Sequence, residues 1–598
     1  MPEVLKVEQP AGINLFKEEL QLNPKIWQDA HNVQFEHGLS FKVDGYEEGL
    51  GVASVSPEII VPLRDDDDEY YWWAYAGYNQ GGDPEFWQIT STIDHNNVTP
   101  DEVYNPELTG KSYKWTGDSI NGVPYITWGI PYFYDSGTGK FKQAQNIPRH
   151  NGKDPDTGEP VYDPDSPHYA PNTGDARVRF QTIRTYQNFM IGLNWDTDEF
   201  DGDFNYGYGP QEADTANQNA IWWSHAVIGK NVDVGWKDAA PNQFSGWNFL
   251  GGSGGPIVDG KVMRDSFIIY RESSVWQMTY IGGINVFAFK ELFTDTGVLG
   301  LNCAAEVNGK HIVVGQSDVY MHDGVQKTTV SDGRVRQELF KDIMPEYKDS
   351  VFMMSDYKNK EVVIAIPSND KWADYSEEEK EKYKGTCDVG YVFNWVENTW
   401  SKKDLPHITG AIYTILSAAD SDISWEAPEE GGIIQPHPDY PDSPAEFPDR
   451  PGVSWSEAVD EWKDSYFKYN PAEWGLAMTS GGDNKIYTAI ADPLHNGDNF
   501  RATMEKTYLD MGDRYTTKYV SRLIPLVRKG VVEVYISSSY GVEEGYNWTY
   551  LGLFDPTRDT HISCRQNGRY IHVKFEIPEN SRAEIRGWWL EWDYIGRR

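Results

Sequence analysis

DSFIIYRESSVWQMTYIGGINVFAFKELFTDTGVLGLNCAAEVNGKHIVVGQSDVYMHDG, residues 265–324, decides how the rest of the chain is read. FIIYRESSVWQMTYIGG is a strand, a polar turn and a second strand, and KHIVVGQSDVYMHDG repeats the unit. Short β-branched and aromatic runs separated by Gly, Asn, Asp and Ser favour paired antiparallel strands over helices. Such units in series build propeller blades or β-sandwiches. The stretch holds no catalytic constellation, so it points to a scaffold.

The chain has 598 residues, too many for one small core, which predicts several domains or one large repeat architecture. Aromatics make up 14%, with 23 Trp and 37 Tyr, and 55 Gly and 34 Pro punctuate the whole length. That composition favours an all-β chain. The formal net charge is −39, which repels phosphate and argues against a basic grip on nucleic acid. A very soluble surface is the simple reading of that charge; a channel through which DNA slides without sticking is the functional one. Cys303, Cys387 and Cys564 lie far apart with no CxxC pair, as expected of reduced thiols made in cytosol. The N-terminus lacks the pattern of a signal peptide, and no apolar run reaches the length of a transmembrane helix.

Along the chain, residues 1–23 read as an N-terminal arm, 24–501 as an irregular propeller-like body and 502–598 as a C-terminal β-sandwich-like module. Insertions into the body are expected at about 96–175, 370–385 and 420–470. Pro24 suits the first turn of a short helix, and two strands flank His37–Gly38. Asn121–Gly122 and Ser136–Gly137 are hairpin signals. DYSEEEKEKYK reads as a short exposed helix; Ser454 and Glu457 have capping-box spacing ahead of Trp455, Val459, Trp462 and Tyr466, which recur at helical spacing.

Candidate chemistry is sparse. GGSGGPIV at 251–258 resembles a serine-protease nucleophile loop, but Asp is missing before Ser253, and His31 and His225 stand in unrelated contexts, so a Gly-rich loop is the better reading. The Asp-rich runs from Asp154 and from Asp196 offer hard oxygen ligands without EF-hand spacing and read as solvated loops. Paired carboxylates for glycoside hydrolysis leave no sequence signature, because their spacing is set in space. Trp223, Trp276, Trp395 and Trp589 sit inside strand patterns and are expected in the core. No cofactor or metal motif is present in the sequence.

The opening NPKIWQDAHNVQFEHGLSFKVDGYE resembles that of tail nozzle proteins of short-tailed phages, also called tail tubular protein B or head–tail stabilisation proteins, through Ala30, Asn32, Val33, Phe35, Gly38, Lys42 and Gly45. The segment from IWWSHA to VYMHDG is similar to their propeller, and DTHISCRQNGRYIHVKFEI with GWWLEWDYIGRR is similar to their terminal β module through Arg565, Gly568, Arg569, Tyr570, Gly596, Arg597 and Arg598. The three blocks cover about half of the chain. The resemblance implies a virion structural protein: a homo-hexameric ring at the distal tail that conducts and helps retain double-stranded DNA. It implies an adaptor protein and tail fibres as neighbours, assembly in host cytoplasm, and no enzymatic activity, cofactor or metal. Two rivals remain open at this stage, a propeller-type carbohydrate-active enzyme or depolymerase and a host-receptor glycan-binding protein.

Overall fold

The computed structural model describes residues 3–15, 23–64, 71–89, 95–101, 103, 113–144, 178–196, 218–236, 244–283, 285–415, 474–490, 494–542 and 545–597. Among them the chain is almost wholly β, as its alternating aromatic and β-branched runs require. Seven four-stranded antiparallel units follow in the described residues. Their innermost strands are Ser56–Arg64, Thr116–Ile120, Arg179–Tyr186, Ile257–Met263, Ala304–Val307, Phe352–Asp356 and Gly410–Ile415. Each packs on the next and the seventh packs on the first, so the units are the blades of a closed propeller.

Closure uses the chain's own beginning. Blade seven runs Gly410–Ile415, Trp474–Ser480, Lys485–Ile490, and its outer strand is Gly45–Glu47, antiparallel to Lys485–Ile490. The seam between blades seven and one is tied by Thr409 Oγ1, which donates to the Pro57 carbonyl at 2.6 Å. Between blades the cores are aromatic: Trp115 stacks on Trp128 at 4.9 Å, and Tyr75, Trp73, Tyr125 and Tyr132 are fully buried.

Residues 502–597 form a two-layer module. One layer holds Thr516–Lys529, Ile562–Gly568 and Glu584–Arg597; the other holds Ala502–Leu509, Tyr570–Ile577, Val532–Ser539 and Thr549–Phe554. Period-2 alternation turns Val532, Val534, Ile536, Val573 and Phe575 inward against Leu523, Trp588, Leu590 and Trp592. The N-terminal segment completes this module. Glu3–Glu8 pairs with Glu584–Arg597, and Val33–Glu36 and Leu39–Lys42 extend the same sheet. Asp29–His31 lies parallel to blade six's outer strand, Thr399–Ile408, and antiparallel to Ala502–Leu509, which joins blade six and the module into one nine-stranded sheet.

Several local expectations change. Pro24 and Lys25 form a turn, not a helix, closed by Ile26 N–H donating to the Asn23 carbonyl at 2.9 Å; the buried Lys506 ammonium also donates to the Asn23 and Ile26 carbonyls. Residues 116–143, inside the stretch expected to be an insertion, form blade two; its hairpins turn at Asn121–Gly122 and around Ser136–Gly137. The expected hairpin signals fall at its turns, and its two middle strands, Val123–Trp128 and Ile130–Asp135, are mostly buried. The 370–385 insertion carries Asn369–Trp372 and the exposed helix Glu377–Lys382, closed by a capping box between Ser376 and Glu379. The helix expected after Ser454, the whole of 420–470 and both Asp-rich runs lie outside the described residues, apart from Asp196 itself at the end of a strand.

Trp588 is fully buried between the two layers of the C-terminal module. Trp588→Ala is expected to cost about 3–5 kcal/mol, read as a fall in the urea midpoint of the full chain followed by far-UV circular dichroism.

Candidate functional site

The N-terminal signature residues lie at the junction between N-terminal segment, blade six and C-terminal module. Asn32 is its centre. It sits in the left-handed region at φ 57°, which Asn tolerates better than most residues. Its N–H donates to the Lys402 carbonyl at 2.7 Å and its carbonyl accepts from Val43 N–H at 3.0 Å. Its side-chain amide donates to Asp404 Oδ2 at 2.7 Å and to the Arg501 carbonyl at 3.3 Å, and its Oδ1 accepts from the Asp404 N–H at 2.9 Å. Ala30, Val33 and Phe35 are buried around it, and Gly45 pairs with Ile490 in the closing strand. Lys42 donates to the Glu579 carbonyl at 2.9 Å. Gly38 takes φ 71° in the tight turn, where a side chain would also press on Gln9.

The C-terminal signature lies within the C-terminal module, toward the other end of its strands. A Cβ on Gly568 would come within 2.7 Å of Ser538, so only glycine fits between these strands. Arg569 N–H donates to the Ser539 carbonyl at 3.0 Å, and its own carbonyl accepts from the buried Lys518 at 2.8 Å. Tyr570 is buried edge-on to Tyr508, and Arg565 is exposed on the outer face. Gly596 and Arg597 pair with Thr517 and Thr516; Arg598 lies outside the described residues. These residues hold the fold together rather than surround a ligand.

Asp404 is the charged part of the junction. His31 Nε2 lies 2.9 Å and Lys371 Nζ 2.5 Å from its Oδ1. Burial works against the charge, but the bonds and charges from His31 and Lys371 hold the Asp404 carboxyl well below the usual carboxylate range. Close by, burial pushes the Glu361 carboxyl up to about 8; Lys403 opposes this, and Asp356, Asp44 and Glu36 reinforce it.

A second candidate is the cavity on the propeller axis, about 590 Å³ in volume, into which Glu58, Lys114, Lys261, Asn302, Tyr347 and Asp349 project from several blades and loops. Burial raises the Glu58 carboxyl to about 6 against the pull of Lys114. Burial in turn lowers the Lys114 ammonium, which donates to the Asp349 carbonyl. Arg184 grips Asp259 through Nε at 2.9 Å and Nη2 at 3.2 Å, and Asn302 bridges the pair from its backbone N–H and side chain. A carboxyl near pH 6 beside a desolvated amine can donate or accept a proton. Sequence inspection misses this group because its residues come from several blades and loops and none has a local motif; only closure of the ring brings them together.

The remaining sequence candidates resolve plainly. The 251–258 loop wraps the buried Arg271 guanidinium, which donates to the carbonyls of Gly251, Gly252 and Gly255 and to Asn219 Oδ1. It is a clamp for a buried cation. Trp223 is buried as expected; Trp276 and Trp395 are half-buried and packed against core clusters, and Trp589 is half-buried beneath the Lys6 ammonium at 4.4 Å. All three cysteines are buried and free, and burial raises Cys303 and Cys564 to about 12. Among the described residues no helix is long and apolar enough to cross a membrane, and no His/Cys/Asp/Glu group is arranged to hold a metal.

No family model matches the chain, and no curated protein matches it. Solved structures similar to it include Hsv2 of Kluyveromyces lactis, at 8% identity over 50% of this chain and 67% of that one with a TM-score of 0.24. Another is AofleA of Arthrobotrys oligospora, at 9% identity over 67% and 95% with a TM-score of 0.27. A third is a family 43 arabinoxylan arabinofuranohydrolase of Bacillus subtilis, at 8% identity over 92% and 96% with a TM-score of 0.18. Similarity at this level assigns no family.

Two pH experiments follow. Asp404 contributes stability that is present above the unfolded carboxylate range near 4 and is lost as pH falls below it. Asp404→Asn should therefore lower stability at pH 7 by about 1–3 kcal/mol, with the gap to wild type closing toward pH 3 in thermal scans. Glu361 has the opposite sign: its contribution is present below about 4.5 and is lost as pH rises through about 8. Glu361→Gln should melt above wild type at pH 8–9 and converge with it near pH 4.

Proposed function

We propose that this chain is a virion structural protein, a subunit of the nozzle ring at the distal tail of a short-tailed phage. One observation supports the reading: the residues that give the resemblance have structural work, the N-terminal ones at the junction with blade six and the C-terminal ones within the sheets of the C-terminal module. Asn32 spends its backbone and amide groups on three separate segments, and a side chain at Gly568 would run into Ser538. Residues that serve architecture rather than a ligand suit a scaffold protein.

Charge adds support. Residues 502–598 hold 14 Lys and Arg against 13 Asp and Glu, a net +1, so the whole of the negative charge, −40, lies in residues 1–501. In a ring, an acidic body walls a conduit that DNA phosphates do not adhere to, while a near-neutral module is free to contact a neighbouring protein. The propeller would thus give the ring its wall, and the junction would hold the propeller to the module that docks.

A second reading rests on the axial cavity. Glu58 at about 6 is a candidate proton donor for glycoside cleavage. Immunogold labelling of source phage particles with antibody against this chain separates the two. Label at the single tail vertex is expected. Unlabelled particles, together with polysaccharide hydrolysis that Glu58→Gln abolishes, would replace the nozzle reading with the enzymatic one.

A further inference from the structure

The outer face of the C-terminal module's second layer carries a group of side chains that the junction and the axial cavity leave unused. Strand register places Glu505, Lys574, Tyr535 and Tyr550 in one row across four adjacent strands, with Thr503, Glu576, Glu533 and Leu553 in the next. The floor is charged and fully paired. Lys574 Nζ lies 2.8 Å from Glu576 and 3.3 Å from Glu505, and Arg501 Nη1 lies 3.1 Å from both Glu533 and Glu576. Tyr535 OH is 2.9 Å from Glu533 and 3.2 Å from Glu576, where it can donate to either.

Aromatic rings stand on both sides of this floor. Tyr535 and Tyr550 face each other across neighbouring strands at 5.2 Å, with Tyr550 53% exposed. On the other side Tyr546 stacks on His572 at 4.0 Å and meets Trp548 at 5.4 Å. The Lys574 ammonium lies between the two sides, 5.7 Å from Tyr535 and 5.9 Å from Trp548.

We infer that this face, with Tyr535 and Tyr550 on one side, Tyr546 and Trp548 on the other and Lys574, Glu505 and Glu576 between, binds a neutral oligosaccharide. The rings offer apolar faces to the C–H side of a sugar. The carboxylates, held in place by their ion pairs, keep lone pairs free to accept from hydroxyl groups. Three carboxylates against two cations on this face disfavour phosphate, sulfate or an acidic peptide. A neutral ligand rich in hydroxyls is what remains matched to both rings and floor. The inference does not depend on the nozzle reading.

The test uses the full chain in titration calorimetry against neutral hexasaccharides of α-1,4-glucose, β-1,4-glucose, mannose and galactose, with a sulfated hexasaccharide as the anionic arm. At least one neutral sugar should bind with a Kd at or below about 1 mM. Trp548→Ala and Tyr550→Ala should each weaken it about ten-fold or more, with melting temperatures near wild type. Failure of every neutral sugar, binding of the sulfated sugar alone, or wild-type binding by both variants overturns the proposal. So does binding lost in Glu58→Gln but kept in Trp548→Ala, which would move the sugar to the axial cavity.

Discussion

The hydrogen-bonded node between Asn32 and Asp404 is the constraint on which the architecture depends. Asn32 belongs to the start of the chain, Asp404 to blade six, and the Arg501 carbonyl that Asn32 also binds leads into the C-terminal module. Three segments far apart in sequence are held through one amide. The strand that precedes it, Asp29–His31, is only three residues long, yet it pairs with both blade six and the module. So short a strand has little stability of its own; the node and the ion pairs of Asp404 with His31 and Lys371 keep it in register. Thirteen residues after Asn32, Gly45 begins the strand that closes the propeller. Misplacing the node therefore disturbs both the sheet that welds the two halves and the seam of the ring.

Much of this was legible in the sequence and some was not. Strand content, the hairpin at Asn121–Gly122, the turn at His37–Gly38 and the two-layer module after residue 502 follow from period-2 alternation and turn residues, which are local signals. The number of blades was not legible, because blades one to seven share no exact repeat and the seventh borrows its outer strand from residues 45–47. Blade two was read as an insertion because glycine and proline interrupt its strands, as at Pro124 and Pro131. The signature residues were found through resemblance, but their roles come from partners hundreds of residues away: the Lys42 ammonium meets the Glu579 carbonyl, and Asn32 meets Asp404. Glu58 and Lys114 carry no motif at all and are neighbours only once the blades close into a ring.

The polar groups inside the molecule divide into those that fix structure and those left available. Arg271 has its guanidinium held by backbone carbonyls of a glycine-rich loop, where small residues let the chain wrap the cation closely. Tyr270 links His311 and His322 at 2.7 Å each, and His311 passes its second ring nitrogen to the Val262 carbonyl. Because a carbonyl only accepts, His311 donates there, so Tyr270 donates to His311 and accepts from His322. Burial lowers the two imidazoles to about 3 and about 4, which keeps this chain neutral near pH 7 and fixes the contact between blades four and five. The axial cavity and the outer aromatic face differ from these sites because their charged groups border open space.

Differential scanning calorimetry of wild type beside the Asn32→Ala/Asp404→Asn double variant tests most directly whether the node welds propeller and C-terminal module into one cooperative unit. The account predicts one transition for wild type and two for the variant, the C-terminal module separating from the propeller. Two transitions in wild type, or one transition at an unchanged temperature in the variant, would contradict it.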